Sequence, residues 1–205
     1  MNAKSALEEL AKEEKRKFVQ SVDLIINLKG IDLRKENINM VVNVPHKLKD
    51  KKVCCFLEKK SDLINTITKA DFPKYKEKKS LKNLVKEYDF FIAVAPLMPA
   101  VATTFGKVLG PAGKMPSPQL GIIQKETQET IKQELDKISK SIKIRVKEAS
   151  IKTSIGNEKM KQEELIDNIK STYDGIINAL PKKKDNIKSV MIKFTMSKPL
   201  KVEVA

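Results

Sequence analysis

The chain has 205 residues, 40% of them apolar and 33% charged, with 41 lysines and arginines against 26 acids for a formal charge of +15. This describes a soluble globular protein, long enough for one large domain or two small ones. Because no apolar run approaches 18 residues, a membrane span is excluded. A positive field of this size attracts polyanions, either nucleic acid or an anionic membrane surface, although a plain lysine-rich surface would have the same composition.

The excess of positive charge is distributed, with 10 basic against 8 acidic residues in 1–50, 16 against 10 in 51–137 and 15 against 8 in 138–205. That pattern suits a folded nucleic-acid binder better than an enzyme carrying a basic tail. The first 20 residues read as a charged amphipathic helix rather than a signal peptide. Ser5 and Glu8 stand at capping-box spacing, and the helix is expected to run to about Arg16. "FVQSVDLIINL" and "NINMVVNVP" alternate as strands on either side of the turn-like "KGIDLRKE".

From Lys51 the pattern changes. "KVCCFLE" and "DFFIAVA" read as buried strands, "SDLINTITKADF" and "SLKNLVKEY" as helices, and "LMPAVATTFGKVL" as a further helix. "TQETIKQELDKIS" sets Ile131, Leu135 and Ile138 on one helical face. Strands alternating with helices in this way indicate a parallel α/β layer. After it, "SIKIRVKEA" and "SIKTSI" look like paired strands. They lead into a long helix striped by Leu165, Ile166, Ile169, Tyr173, Ile176, Ile177 and Leu180, then the basic turn "PKKKDN", then two last strands in "NIKSVMIKFTM" and "PLKVEV".

Neither terminal piece makes a domain alone. Together they predict a discontinuous α+β sandwich of one sheet and two helices, residues 1–47 and 138–205, into which a Rossmann-like α/β domain, residues 48–137, is inserted. Hinges between the two are expected near His46–Lys51 and Lys137–Lys143, where the pattern switches.

Adjacent Cys54 and Cys55 point to opposite faces of a strand, so they form neither a disulfide staple nor a CxxC site and read as core thiols of a reducing, cytoplasmic setting. His46 has no partner at ligand spacing. No metal and no cofactor are expected.

"GKVLGPAGKMPSPQLG", residues 106–121, holds four of the seven glycines, three of the nine prolines, two lysines and no acid. As a Walker loop ending in Gly113-Lys114 it would need glycine at Val108 and a hydroxyl at Met115, and both fail. Its glycines also miss the G-x-G-x-x-G spacing, and its prolines remove amides a phosphate nest would use. A structural connection and a ligand-contacting loop that presents Lys107 and Lys114 remain open. An enzyme reading, a phosphate- or nucleotide-handling α/β protein using residues 106–118, lacks any acid, base or metal cluster to support it, and no catalytic residue is assigned. A generic basic binder of any nucleic acid is the third alternative.

The stretch "FIAVAPLMPAVATTFGKVLGPAGKMPSP" resembles the signature of the ribosomal large-subunit protein L-one family, in its run G-x-x-LGP-x-G-x-x-P-x-P. "KRKFVQSVDLIINL" is similar to that family's N-terminal strand entry and "FTMSKPLKV" to its C-terminal threonine-methionine turn, and the wording is closer to the archaeal branch. The resemblance implies a split domain with an inserted one, and a protein that is no enzyme. It implies a constituent of the 50S subunit that binds large-subunit rRNA directly, forms the mobile stalk near the exit site and assists release of deacylated tRNA. It further implies a translational repressor that binds the leader or coding region of its own mRNA. A cytoplasmic protein, monomeric when free and without membrane contact, follows from the same likeness.

Carried over by that resemblance, Lys17, Phe18 and Ser21 match the N-terminal RNA contacts, and Thr195 and Met196 the C-terminal ones. Ser197 stands where the family usually has glycine. Lys15, Lys193 and Lys198 would meet phosphates around them, and Lys107, Lys114 and Met115 would make a secondary RNA contact. Phe18 could stack on a base or ribose; a core aromatic closing the helix onto the sheet is the competing interpretation.

Overall fold

The computed structural model describes residues 1–12, 16–32, 38–48, 51–61, 64–75, 77–146 and 148–203. In chain order its elements are α1 (Ala3–Ala11), β1 (Ser21–Leu28), β2 (Asn39–Asn43), β3 (Val53–Leu57), β4 (Asn65–Thr68), α2 (Lys78–Glu87), β5 (Phe90–Val94), α3 (Met98–Ala112), β6 (Ile122–Ile123) and α4 (Gln128–Ser139). They continue with β7 (Ser141–Arg145), β8 (Ser150–Asn157), α5 (Gln162–Ala179), β9 (Ile187–Phe194) and β10 (Leu200–Val202). The chain gathers into two compact units, Met1–Lys49 with Lys140–Ala205, and Asp50–Ser139.

In the first unit β1 shows why a strand forms. Val22, Leu24, Ile26 and Leu28 are buried while the residues between them are not, the period of two that puts alternate side chains on one core. β1 pairs antiparallel with β8 on one side and β9 on the other, giving a four-stranded sheet in the order β10-β9-β1-β8. Onto its apolar face pack Ala6, Leu7 and Leu10 of α1, and Leu165, Ile169 and Ile176 of α5, at the three- and four-residue spacings of a helical stripe. β2 and β7 pair separately as a two-stranded antiparallel sheet that shares this core. At Gly175 a Cβ would lie 2.7 Å from Val42, so only glycine lets α5 approach β2 this closely.

The second unit is a parallel sheet in the order β4-β3-β5-β6. Four of the five residues in each of its inner strands β3 and β5 are buried, as a sheet covered on both faces requires. A phenylalanine cluster fills it: the Phe56 ring stacks on Phe91 at 5.7 Å and lies 4.9 Å from Phe105, which Phe72 meets edge-on at 5.1 Å. Cys54 and Cys55 belong to the interior, where burial pushes each thiol up to about 12, out of the range of a reactive thiolate. The mixed fold class, with an α+β part from both termini and a parallel α/β part between, is the one expected.

Several local expectations are corrected. α1 begins at Ala3 behind Asn2, so Ser5 lies inside the helix and caps nothing; the helix ends at Ala11, short of Arg16. Residues 65–68 form strand β4 rather than helix, because β-branched Thr66, Ile67 and Thr68 suit the edge position beside β3; a 3₁₀ segment, Lys69–Tyr75, follows. β7 and β8 do not pair with each other: β7 joins β2 and β8 joins β1, so the terminal unit has two sheets rather than one. α3 runs past the expected end at Leu109 to Ala112 and takes in Gly110 and Pro111. Residues 33–36 of the "KGIDLRKE" turn lie outside the described residues. No described helix is long and apolar enough to cross a membrane.

Candidate nucleic-acid interface

The register Val22↔Phe194 sets Ser21, first residue of β1, opposite Thr195, the residue that follows β9. The two are locked together. The Ser21 amide donates to Thr195 Oγ1 at 3.0 Å, the Thr195 amide donates to the Ser21 carbonyl at 3.1 Å, and the two hydroxyls lie 3.0 Å apart. The Ser21 hydroxyl also donates to Asp23 Oδ1 at 3.0 Å. Antiparallel pairing thus joins segments 174 residues apart in the chain into one surface.

Beside this lock the chain leaves large apolar side chains in solvent. Phe18 is 51% exposed, Val19 45% and Met196 64%; among the described residues only Met1 joins them as a large exposed hydrophobic. With half of its surface in solvent, Phe18 is not a buried core aromatic closing the helix onto the sheet. Phe194, two residues before Met196, takes the inward position instead.

Gln20 builds the platform beneath. Nearly fully buried, it accepts the Met196 amide on Oε1 at 3.2 Å, while its carbonyl accepts the Glu158 amide at 3.0 Å. A buried glutamine two residues after an exposed phenylalanine is a positioning residue that sequence reasoning missed; only the pairing of β1 with β9 shows which amide it serves.

Ser197 closes the turn. Its hydroxyl accepts the Phe194 amide at 2.8 Å and its own amide donates to the Phe194 carbonyl at 3.1 Å. Among the described non-glycine residues only Lys183 has positive φ, so serine at 197 carries no left-handed strain, and its hydroxyl is engaged within the turn. Lys17 and Lys198 are exposed, and half-buried Lys193 stands across from Asp23 in the ladder. Lys15 lies outside the described residues.

The other candidate residues sit in the second unit. Lys107 is exposed on α3. Lys114, by contrast, turns inward: its ammonium donates to the Val85 and Tyr88 carbonyls, each at 2.7 Å, and so caps the C-terminal end of α2. Met115 packs against the phenylalanine cluster.

The glycine-proline stretch has a different logic from a phosphate cradle. Gly113, at φ +70°, ends α3 in the left-handed region, with its amide donating to Gly110 O and that of Lys114 to Leu109 O, both at 3.0 Å. A helix C-terminus presents carbonyls and a negative dipole end, the wrong polarity for a phosphate. At Gly121 (φ +99°) a Cβ would meet the Phe91 carbonyl oxygen at 2.7 Å, so this glycine is needed where the chain passes over β5.

The Ribosomal protein L1p/L10e family model matches residues 10–198. The chain is 33% identical over 204 residues to the large ribosomal subunit protein uL1 of Pyrococcus horikoshii, covering 94% of this chain and 91% of that protein. It is 34% identical over 205 residues to its counterpart in Thermococcus kodakarensis, with 94% and 92% covered. For the Archaeoglobus fulgidus uL1 the figures are 34% over 212 residues, 97% and 95%. Matched along nearly its whole length, this chain belongs to the Ribosomal protein L1p/L10e family.

Proposed function

We propose that this chain is a structural protein of the large ribosomal subunit, not an enzyme, and that it binds rRNA directly through the surface formed where β1 begins and β9 ends. The observation that carries the reading is the exposure of Phe18, Val19 and Met196 beside a hydrogen-bonded backbone, with Lys17 and Lys198 exposed near them in the chain. Exposed apolar side chains cost hydration, and an aromatic ring held out beside lysines matches the stacking and phosphate contacts by which proteins grip unpaired RNA. Ser21 and Thr195 act in this reading as the lock that aligns both halves, and Lys15, Lys193 and Lys198 as phosphate contacts that set register.

The finer roles build on that binding. With the terminal unit docked on rRNA, the inserted unit moves about the two chain crossings near residues 46–51 and 137–143 as a stalk beside the exit site and assists release of deacylated tRNA. The same surface binds the chain's own mRNA where the messenger imitates the ribosomal site, and so represses its translation in the cytoplasm. Family membership and the +15 charge support these roles. Lys107 is the one secondary contact whose side chain faces solvent for such a role; Lys114 and Met115 serve the interior of their own unit.

The test compares a large-subunit stalk rRNA fragment with a shuffled RNA of equal length across a salt series. A preference of about 1,000-fold or more that persists as salt rises is expected. Equal binding that fades together with salt would reduce the protein to a non-specific polycation.

A further inference from the structure

At the opposite end of the same sheet lies a second basic feature. β7 and β8 are each the outer strand of a different sheet: β8 ends the order β10-β9-β1-β8, and β7 pairs only with β2 among the described strands. Between them runs an open groove of about 310 Å³, lined by Lys143 and Arg145 of β7 and by Ser150, Lys152 and Thr153 of β8, with Glu148 on the connection.

Three observations point to an anion. Lys143 and Arg145 stand two residues apart on one strand face, so like charges are held together; partial burial first, and then the Arg145 charge, pull the Lys143 ammonium below its usual pKa. The Ser150 hydroxyl is buried and has no hydrogen-bond partner among the described residues, a cost that a ligand oxygen in the groove would relieve. β7 and β8 also each keep one edge that pairs with no described strand, and the backbone amides of such an edge are the kind of donor that contacts phosphate. Among the described residues of the lining Glu148 is the one carboxylate, 4.0 Å from Lys152 and largely exposed.

We propose that this groove binds phosphates of an RNA backbone, so that the chain grips its RNA at two ends of one sheet. The inference rests on the RNA-binding reading above. Ser21 and Asn27 bracket β1, and Asn27 pairs with Ser150, so the groove lies about 20 Å along the strand from the Ser21–Thr195 lock. That separation corresponds to roughly six nucleotides stacked at 3.4 Å. The basic turn Lys182–Lys184, stapled by buried Asn186 to the Lys29 carbonyl, adds positive charge at the same end. Among the described residues the groove's lining holds no aromatic face for a base, which favours a backbone over a mononucleotide.

The experiment uses the full chain and the stalk rRNA fragment, with affinity measured by fluorescence anisotropy from about 50 to 500 mM KCl. The double variant Lys143→Gln, Arg145→Gln should flatten the plot of log K against log salt by about 1.5–2 and weaken binding about tenfold or more at physiological salt. A control of equal charge change, Lys4→Gln with Lys170→Gln on exposed helix positions, should leave the slope nearly unaltered. Ser150→Ala should weaken RNA binding several-fold while the melting temperature holds or rises, since it removes a buried orphan hydroxyl. If both double variants have the same slope, or Ser150→Ala changes only stability, the groove is not an RNA site. Loss of preference for stalk RNA over shuffled RNA in the wild type would instead sink the specific-site reading, and the slope comparison would still decide the groove.

Discussion

The Ser21–Thr195 junction and the glycine-proline stretch from Gly106 to Gly121 both attract notice in the sequence, yet the fold uses them in opposite senses. At the junction, Gln20, Thr195 and Ser197 consume the backbone hydrogen bonds and leave Phe18, Val19 and Met196 outside. In the glycine-proline stretch three of the side chains turn inward, while Lys107 stays in solvent: Lys114 caps α2, Met115 joins the aromatic cluster, and Leu109 is fully buried. A run of unusual residues can therefore be structural punctuation, while a plain Lys-Phe dipeptide can stand exposed in solvent. What separates them is where the neighbouring elements leave room, and whose hydrogen bonds are already satisfied.

The contrast can be broken by substitution, starting with the largest effect. Phe105→Ala, at the centre of the ring cluster beneath the stretch, should destabilise the protein by about 3–5 kcal/mol in urea unfolding. RNA affinity of the protein that remains folded should be unchanged. Phe18→Ala should do the reverse: about 1–3 kcal/mol lost from RNA binding, with stability within about 0.5 kcal/mol of wild type because the ring is half in solvent. A large stability loss at Phe18 would show that the ring packs after all.

Smaller effects sharpen the same comparison. Lys114→Gln leaves the Val85 and Tyr88 carbonyls without their charged donor and should cost about 1.5–3 kcal/mol of stability, with little change in RNA affinity. An RNA defect at full stability would return Lys114 to the list of contacts. Gln20→Ala should weaken RNA binding by about 1 kcal/mol, because the Met196 amide loses its partner and the turn loosens. Combining Gln20→Ala with Met196→Ala then tests the link: if Gln20 acts through Met196, the double variant should bind scarcely worse than Met196→Ala alone.

Periodicity carried most of the architecture. The alternation in β1 and β9, the continuous apolar runs of β3 and β5, and the stripe on α5 are each local consequences of one face or two being buried, so they are legible residue by residue. The misreadings came where tertiary context overrides a local pattern. "NTIT" became a strand because β3 offered an edge to pair with. Neighbouring β7 and β8 parted because β2 and β1 offered each a longer-range partner. Asn168, buried on α5 beside another polar residue, Thr172, and bonded to the Ile155 and His46 carbonyls, interrupts the apolar stripe for a reason invisible without the strand it meets.

The candidate site divides along the same line. Sequence alone determined the basic character, the two-part organisation and the family motif, because charge, hydrophobic period and residue order are properties of the chain itself. Only the tertiary structure decided that Phe18 and Met196 share one exposed surface, that Lys114 is turned inward, and that Lys143, Arg145 and Ser150 line one groove. Exposure and hydrogen-bond partnership depend on which distant strand lies alongside, and no short stretch of sequence contains that partner.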